Sequence, residues 1–164
     1  DEQSCVMRFK PNIAPIKVGI FPLLKNADFD TIITHLRDVF NDASLASRVD
    51  ASSGSVGRRY SRADELGIPF GITVDFETLV QGTVTLRDRD SMAQIRVPIV
   101  DIVSLVARLC DETYSFAEAT KAYMVVNDGG EDPEKDEQKT VAIKPMVLEK
   151  MTRCAFYRPN PEFK

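Results

Sequence analysis

Residues 47–74 read SRVDASSGSVGRRYSRADELGIPFGITV, and they decide the fold class because three kinds of local structure follow one another without a break. Ser47 to Asp50 predict a short strand. Ala51-Ser52-Ser53-Gly54-Ser55-Val56-Gly57 is a loop of small residues, with glycine to turn the backbone and little side chain to bury. It leads into a helix predicted over 56–66, which Gly67 closes. Ile68, Phe70, Ile72 and Val74 then alternate with other residues, the period-2 pattern of a strand.

The flanking sequence repeats the same alternation of periods. On the N-terminal side, Ile16, Val18 and Ile20 alternate in a strand that Pro15 starts. Phe29, Ile32, Ile33, Leu36, Val39, Phe40 and Ala43 then recur at the spacing of an amphipathic helix, with Asn26 or Asp28 as its cap. On the C-terminal side, Val84 and Leu86 mark one strand and Met92 to Val97 another, joined as a hairpin by Asp88-Arg89-Asp90. Pro98, at a first helical position, opens a second amphipathic helix with the stripe Ile99, Ile102, Val103, Val106, Leu109 and Cys110. Strand, helix, strand, helix, strand, hairpin and closing helix predict an α/β domain with a mixed sheet flanked by helices.

With 164 residues, 43% of them hydrophobic, the chain has the material for one self-sufficient core. A net charge of −4 and a pI near 5.1 exclude a uniformly basic surface, so any nucleic-acid partner must be held by a local patch. Cys5, Cys110 and Cys154 are odd in number and far apart, and His35 is the single histidine. A multi-disulfide scaffold and a Cys/His zinc site both lack their ligands, and a reducing compartment is expected. No apolar run approaches the roughly 18 residues of a membrane span. DEQSCVMRFK lacks the blocks of a secretory signal. A soluble intracellular protein without a membrane partner is therefore expected, and the opening at Asp1 is what a piece of a longer chain would show.

Charge also divides the chain. Residues 128–137, DGGEDPEKDE, hold six acids against one lysine and no large apolar residue. Such a stretch cannot offset its own ordering entropy, which predicts a mobile acidic linker over 128–138 and a packed domain over 1–127. The tail over 139–164 is basic, with six bases against two acids, and its apolar residues give it the means to dock. No internal repeat is visible.

Two stretches carry chemistry. At the start of the helix after Gly54-Ser55-Val56-Gly57, backbone N–H groups point outward, and Arg58, Arg59 and Arg62 add guanidinium forks suited to phosphate. The P-loop and dinucleotide fingerprints are both absent, and the competing reading is a structural loop whose arginines pair with Asp64 and Glu65. In VTLRDRDSMAQIR, residues 84–96, Arg87, Asp88, Arg89 and Asp90 alternate at the hairpin tip, with Gln94 and Arg96 on the returning strand. Carboxylates and guanidinium groups so placed can address base edges, and the competing reading is a ladder of surface ion pairs. His35 reads as a solvated side chain and Cys110 as a core residue. Phe21, Phe70 and Phe76 read as core or sheet-end packing, and one of them at a sheet edge could stack an unpaired base.

Longer blocks carry a resemblance. IAPIKV at 13–18, FPL at 21–23, Val49-Asp50, SGSVGRRYSRADELGIPF at 53–70, TVDFET at 73–78 and TVTLRDRDSM at 83–92 together resemble the C-terminal anticodon-binding domain of eukaryotic-type glycyl-tRNA synthetase, over roughly residues 6–124. The helix-borne arginine followed by Ala63-Asp64 and Gly67-Ile68-Pro69 is similar to the class II synthetases for threonine, proline and histidine; the full combination points to the glycine enzyme. The resemblance ends after Asn127.

The resemblance implies the class II anticodon-binding fold, a mixed five-stranded sheet flanked by helices. It implies a homodimeric parent that joins glycine to its tRNA with ATP and Mg²⁺, in the cytoplasm, with a mitochondrial form as a further expectation. None of that class's catalytic motifs occurs here, so no catalytic residue, metal ligand or cofactor is expected in this chain. ATP, Mg²⁺ and the dimer contacts belong to the parent's missing catalytic portion. The expected partner is the tRNA(Gly) anticodon stem-loop. Glycine anticodons share two cytosines, which a carboxylate beside an arginine matches chemically. Arg87, Asp88, Arg89 and Asp90 are the expected base readers, Asp75 and Glu77 a second pair, and Arg58, Arg59 and Arg62 the phosphate contacts. The alternative is a non-catalytic nucleic-acid-binding accessory subunit of the same fold, resembling the mitochondrial DNA polymerase processivity factor. A small α/β enzyme for a phosphorylated ligand is disfavoured by the missing base, nucleophile and metal-ligand cluster.

Overall fold

A computed structural model describes residues 6–126 and 142–154. The elements run β1 (Val18–Pro22), α1 (Ala27–Asp42), β2 (Ser47–Val49), α2 (Val56–Glu65), β3 (Phe70–Val74), α3 (Phe76–Gln81), β4 (Thr83–Asp88), β5 (Gln94–Pro98), α4 (Ile102–Cys110), α5 (Phe116–Ala122), β6 (Met124–Val126) and α6 (Pro145–Cys154). The acidic linker expected over 128–138 lies outside the described residues.

One sheet has the order β2-β1-β3-β4-β5-β6. β2 and β3 flank β1 in parallel, and β4, β5 and β6 continue the sheet antiparallel. The sheet is mixed and helix-flanked, as the resemblance implies, but it has six strands where five were expected. The sixth is β6, which pairs Arg96 with Met124 and Gln94 with Val126. Three residues are too few to show a period, and Met124 and Val125 are exposed, so no buried face marked them.

Strand alternation distributes the two faces. Val18, Ile20, Phe70, Ile72, Val74, Val84, Leu86, Ile95 and Val97 join the stripes of α1 and α4 in the main core. On the opposite face α2 packs Ala63 and Tyr60 over Phe21 and Ile68. Gly19 and Gly71 make that packing possible: a Cβ at Gly19 would lie 2.4 Å from Phe21 Cζ, and one at Gly71 3.1 Å from both the Phe21 and Tyr60 rings.

Several boundaries differ from the sequence reading. Pro98 ends β5 instead of opening α4; residues 98–101 form a turn in which the Asp101 N–H donates to the Pro98 carbonyl at 2.9 Å, and the helix starts at Ile102. α3 and α5 are additional. Each is short and carries a capping box, Asp75 with Thr78 and Ser115 with Glu118. His35 is half-buried rather than solvated; its Nε2 is buried without a hydrogen-bond partner among the described residues, and burial lowers its pKa against the opposing charge of Asp38. Cys110 is in the core, where burial pushes its thiol up to about 11. Among the described residues no helix is long and apolar enough to cross a membrane, and no three His, Cys, Asp or Glu side chains gather to hold a metal.

Candidate nucleic-acid interface

The register puts the expected phosphate contacts and the hairpin base readers at opposite ends of the sheet, with the second expected pair, Asp75 and Glu77, at the phosphate end. Pro22 pairs with Val74 at one end, beside the loop after β2 and the start of α2. Phe70 pairs with Asp88 at the other, where the hairpin tip projects. The six residues of β4 separate these ends by roughly 17–20 Å.

At the first end the arginines of α2 have three different fates. Ser55 caps the helix by accepting from the Arg58 N–H. The Arg58 side chain is exposed and makes no ion pair or hydrogen bond among the described residues. Arg59 is 5% exposed and donates to the carbonyls of Pro22 and Gly54, clamping the end of β1 to the small-residue loop. Its Nε stays buried without a hydrogen-bond partner among the described residues. Arg62 reaches back to Asp50 Oδ2 at 2.8 Å and to the Ser52 hydroxyl, and remains 44% exposed. Burial opposes the charge on Asp50, but hydrogen bonds from the Ser52 hydroxyl and amide and the Arg62 guanidinium outweigh it and hold the carboxyl at about 2.

A groove of about 270 Å³ opens between the loops after β1 and β2. Pro22, Leu23 and Leu24 give it apolar surface, Ser52 and Ser53 give hydroxyls, and Lys25 and Arg59 give positive charge. That combination suits a flat ring with polar edges and a phosphate beside it.

The same end holds Asp75 and Glu77. Asp75 caps α3 by accepting from the Thr78 N–H at 3.0 Å, and its other oxygen takes a hydrogen bond from Arg96 Nη1 at 2.6 Å. Arg96 Nη2 lies 3.0 Å from Glu77 Oε2. Arg96 and Asp75 are largely covered, whereas Glu77 is 52% exposed and Oε1 accepts no hydrogen bond among the described residues. Across the sheet Phe21, Thr73, Thr85, Arg96 and Met124 form one row, with the Tyr60 hydroxyl on Thr73 Oγ1 at 2.6 Å. Sequence reading grouped Arg96 with the hairpin side chains that can address base edges; in the fold it is held by Asp75 and Glu77 instead. Its role depends on Asp75 and Glu77, which only the sheet register brings to it.

At the hairpin end the expected base readers are engaged internally. Arg87 forks onto Asp64 at 3.1–3.2 Å and stacks 4.7 Å from the Tyr60 ring centre. Asp88 accepts from the Ser91 N–H and hydroxyl and so shapes the turn. Arg89 is 5% exposed, and all five of its N–H donors are used, on the carbonyls of Met7, Phe9 and Gly67 and both oxygens of Asp90. Arg89 thus has no donor left for a base edge. Asp90 is exposed, and its hydrogen bonds from Arg89 hold its carboxyl below the usual range. The depression at this end, about 290 Å³, is rimmed by Asp88, Glu112 and Glu118, a charge that repels phosphate.

The chain matches the family model for the anticodon binding domain over residues 17–109. It is 46% identical to a glycine--tRNA ligase of Drosophila melanogaster over 124 residues, covering 75% of this chain and 16% of that protein. It is 38% identical to a glycine--tRNA ligase of Bombyx mori over 142 residues, 86% of this chain and 18% of that one. A glycine--tRNA ligase of Methanococcus maripaludis strain C6 is 45% identical over 106 residues, 65% of this chain and 18% of that one. The chain thus spans less than a fifth of the length of these relatives. Among solved structures, prolyl-tRNA synthetase from Cryptosporidium parvum superposes with a TM-score of 0.61 at 21% identity, over 65% of this chain and 23% of that one, which establishes a shared fold.

Proposed function

The chain belongs to the anticodon-binding domain family, in the form carried by glycine--tRNA ligases, and from that premise we propose that it binds the anticodon stem-loop of a glycine tRNA at the Pro22–Asp75 end of its sheet. The observation that carries this reading is the meeting there of an exposed Arg58 without a side-chain partner among the described residues, a half-exposed Arg62, the groove beside Lys25 and the half-exposed Glu77 on Arg96. Arg58, Arg62 and Lys25 supply phosphate contacts. Glu77 Oε1 accepts from the amino group of an unstacked cytosine, and Asp75 holds Arg96, which holds Glu77 in place. The opposite end, with its acidic rim and engaged arginines, supports the fold.

The reaction lies outside this chain. In the longer protein of which this would be one domain, a catalytic portion joins glycine to tRNA with ATP and Mg²⁺ and carries the contacts of a homodimer, in the cytoplasm and, as a second form, in mitochondria. The accessory-subunit reading is the weaker one, because the curated relatives matching at 38–46% identity are glycine--tRNA ligases.

The test is a titration of the chain with an anticodon stem-loop carrying both cytosines and with one carrying uridines instead, over a series of salt concentrations. Glu77→Gln should cost about 1–3 kcal/mol on the cytosine RNA and little on the other. Equal binding of the two RNAs by wild type would refute base reading by this domain.

A further inference from the structure

The C-terminal helix α6 lies beyond residues 17–109, where the family match ends, yet it is built into the domain. Val147 and Met151, one turn apart, are buried in the main core beside Leu79 of α3. The Lys144 N–H donates to the Leu79 carbonyl at 3.1 Å. Lys150 Nζ donates to the Gln81 carbonyl at 2.7 Å, at the C-terminal end of α3. Gly82, the left-handed cap of α3 at φ +69°, lies against α6: a Cβ there would lie 3.0 Å from Lys150 Cδ and 3.6 Å from Val147 Cγ2.

α3 has only six residues, far short of the length at which a helix holds itself in water. Its N-cap Asp75 and its first-turn Glu77 are the two carboxylates that grip Arg96. A lysine on the last carbonyls of a helix satisfies an acceptor and favours the negative end of its dipole. We propose that α6 is a clasp that holds α3, with Lys150 as a positioning residue, so that Asp75, Glu77 and Arg96 keep the geometry that discriminates RNA. This rests on the reading of that site given above. It assigns a task to a helix outside the matched residues: α6 touches no RNA and acts through α3.

The test uses the full 164-residue chain and three variants: the double replacement Val147→Ala with Met151→Ala, Lys150→Met, and Lys150→Arg. Amide hydrogen exchange reads α3, with β1 and β3 as internal controls, and titration with the cytosine and uridine stem-loops reads discrimination. The double variant should exchange the amides of 76–81 at least about tenfold faster with β1 and β3 unchanged, and its preference for cytosine should fall several-fold. Lys150→Met should move both readouts in the same direction by less, and Lys150→Arg should restore them. Unchanged exchange in α3 overturns the clasp, as does a loosened α3 with undiminished discrimination. If wild type itself does not discriminate, the RNA reading of the site falls. The clasp is then decided by exchange and by the Arg96 guanidinium NMR signals, which should average in the double variant and, if unaltered, overturn it.

Discussion

Arg89 Nη1 donates to the carbonyl of Gly67 at 3.1 Å, joining the tip of the β4–β5 hairpin to the turn that follows α2. Its remaining donors hold the carbonyls of Met7 and Phe9 and the Asp90 carboxylate, so one buried side chain ties three segments together. An arginine at a hairpin tip is here an internal fastener.

Replacing Arg89 with alanine should therefore act on stability. Three carbonyls lose a charged donor, for an expected cost of about 3 kcal/mol. Lysine should not restore it, because three donors on one nitrogen cannot serve five directions. Urea unfolding measures the loss. RNA affinity, measured where the variant is still folded, should match wild type.

Gly67 is the counterpart of that fastener. It adopts φ +74°, and a Cβ there would lie 2.4 Å from Phe9 Cδ2. Gly67→Ala should cost about 1–3 kcal/mol from the left-handed backbone alone, and it should also displace Phe9. Limited proteolysis should then cut within 6–12 faster than in wild type.

Arg58 and Arg59 are adjacent and should behave as opposites. Arg58→Ala should leave the unfolding midpoint within about 0.5 kcal/mol of wild type and lower the salt slope of RNA binding by roughly one. Arg59→Ala strands the Pro22 and Gly54 carbonyls and should lower stability by about 2 kcal/mol. Titration across salt and urea unfolding separate the two.

Stability should fall with pH in two windows. His35 titrates below 6.5 in the fold, so the unfolded chain takes up its proton first and stability declines as pH falls from that value. Asp50 is held at about 2 against an ordinary 3.8, so its contribution is full above 3.8 and is lost as pH falls towards 2. His35→Gln should flatten the upper window of the urea midpoint, and Asp50→Asn the lower.

Much of the fold was legible because it is written in local periods. The stripe of α1, the alternation of β1 and β3 and the small-residue loop before α2 each reflect which side of one element meets the core. Where an element was too short for a period, as with β6 and α3, the alternation carried no information; the one local signal for α3, the capping pair Asp75 and Thr78, went unread.

The sequence by itself determined the class of fold, the resemblance and the kinds of side chain at the site. Tertiary structure decided which of those side chains are free to bind. Arg96 meets Asp75 across 21 residues, Arg89 meets Gly67 across 22, and Lys150 meets Gln81 across 69. The physical reason is that a guanidinium group serves equally well on a phosphate, a base edge or a backbone carbonyl, and the choice is made by whichever acceptor strand register and helix packing bring within about 3 Å.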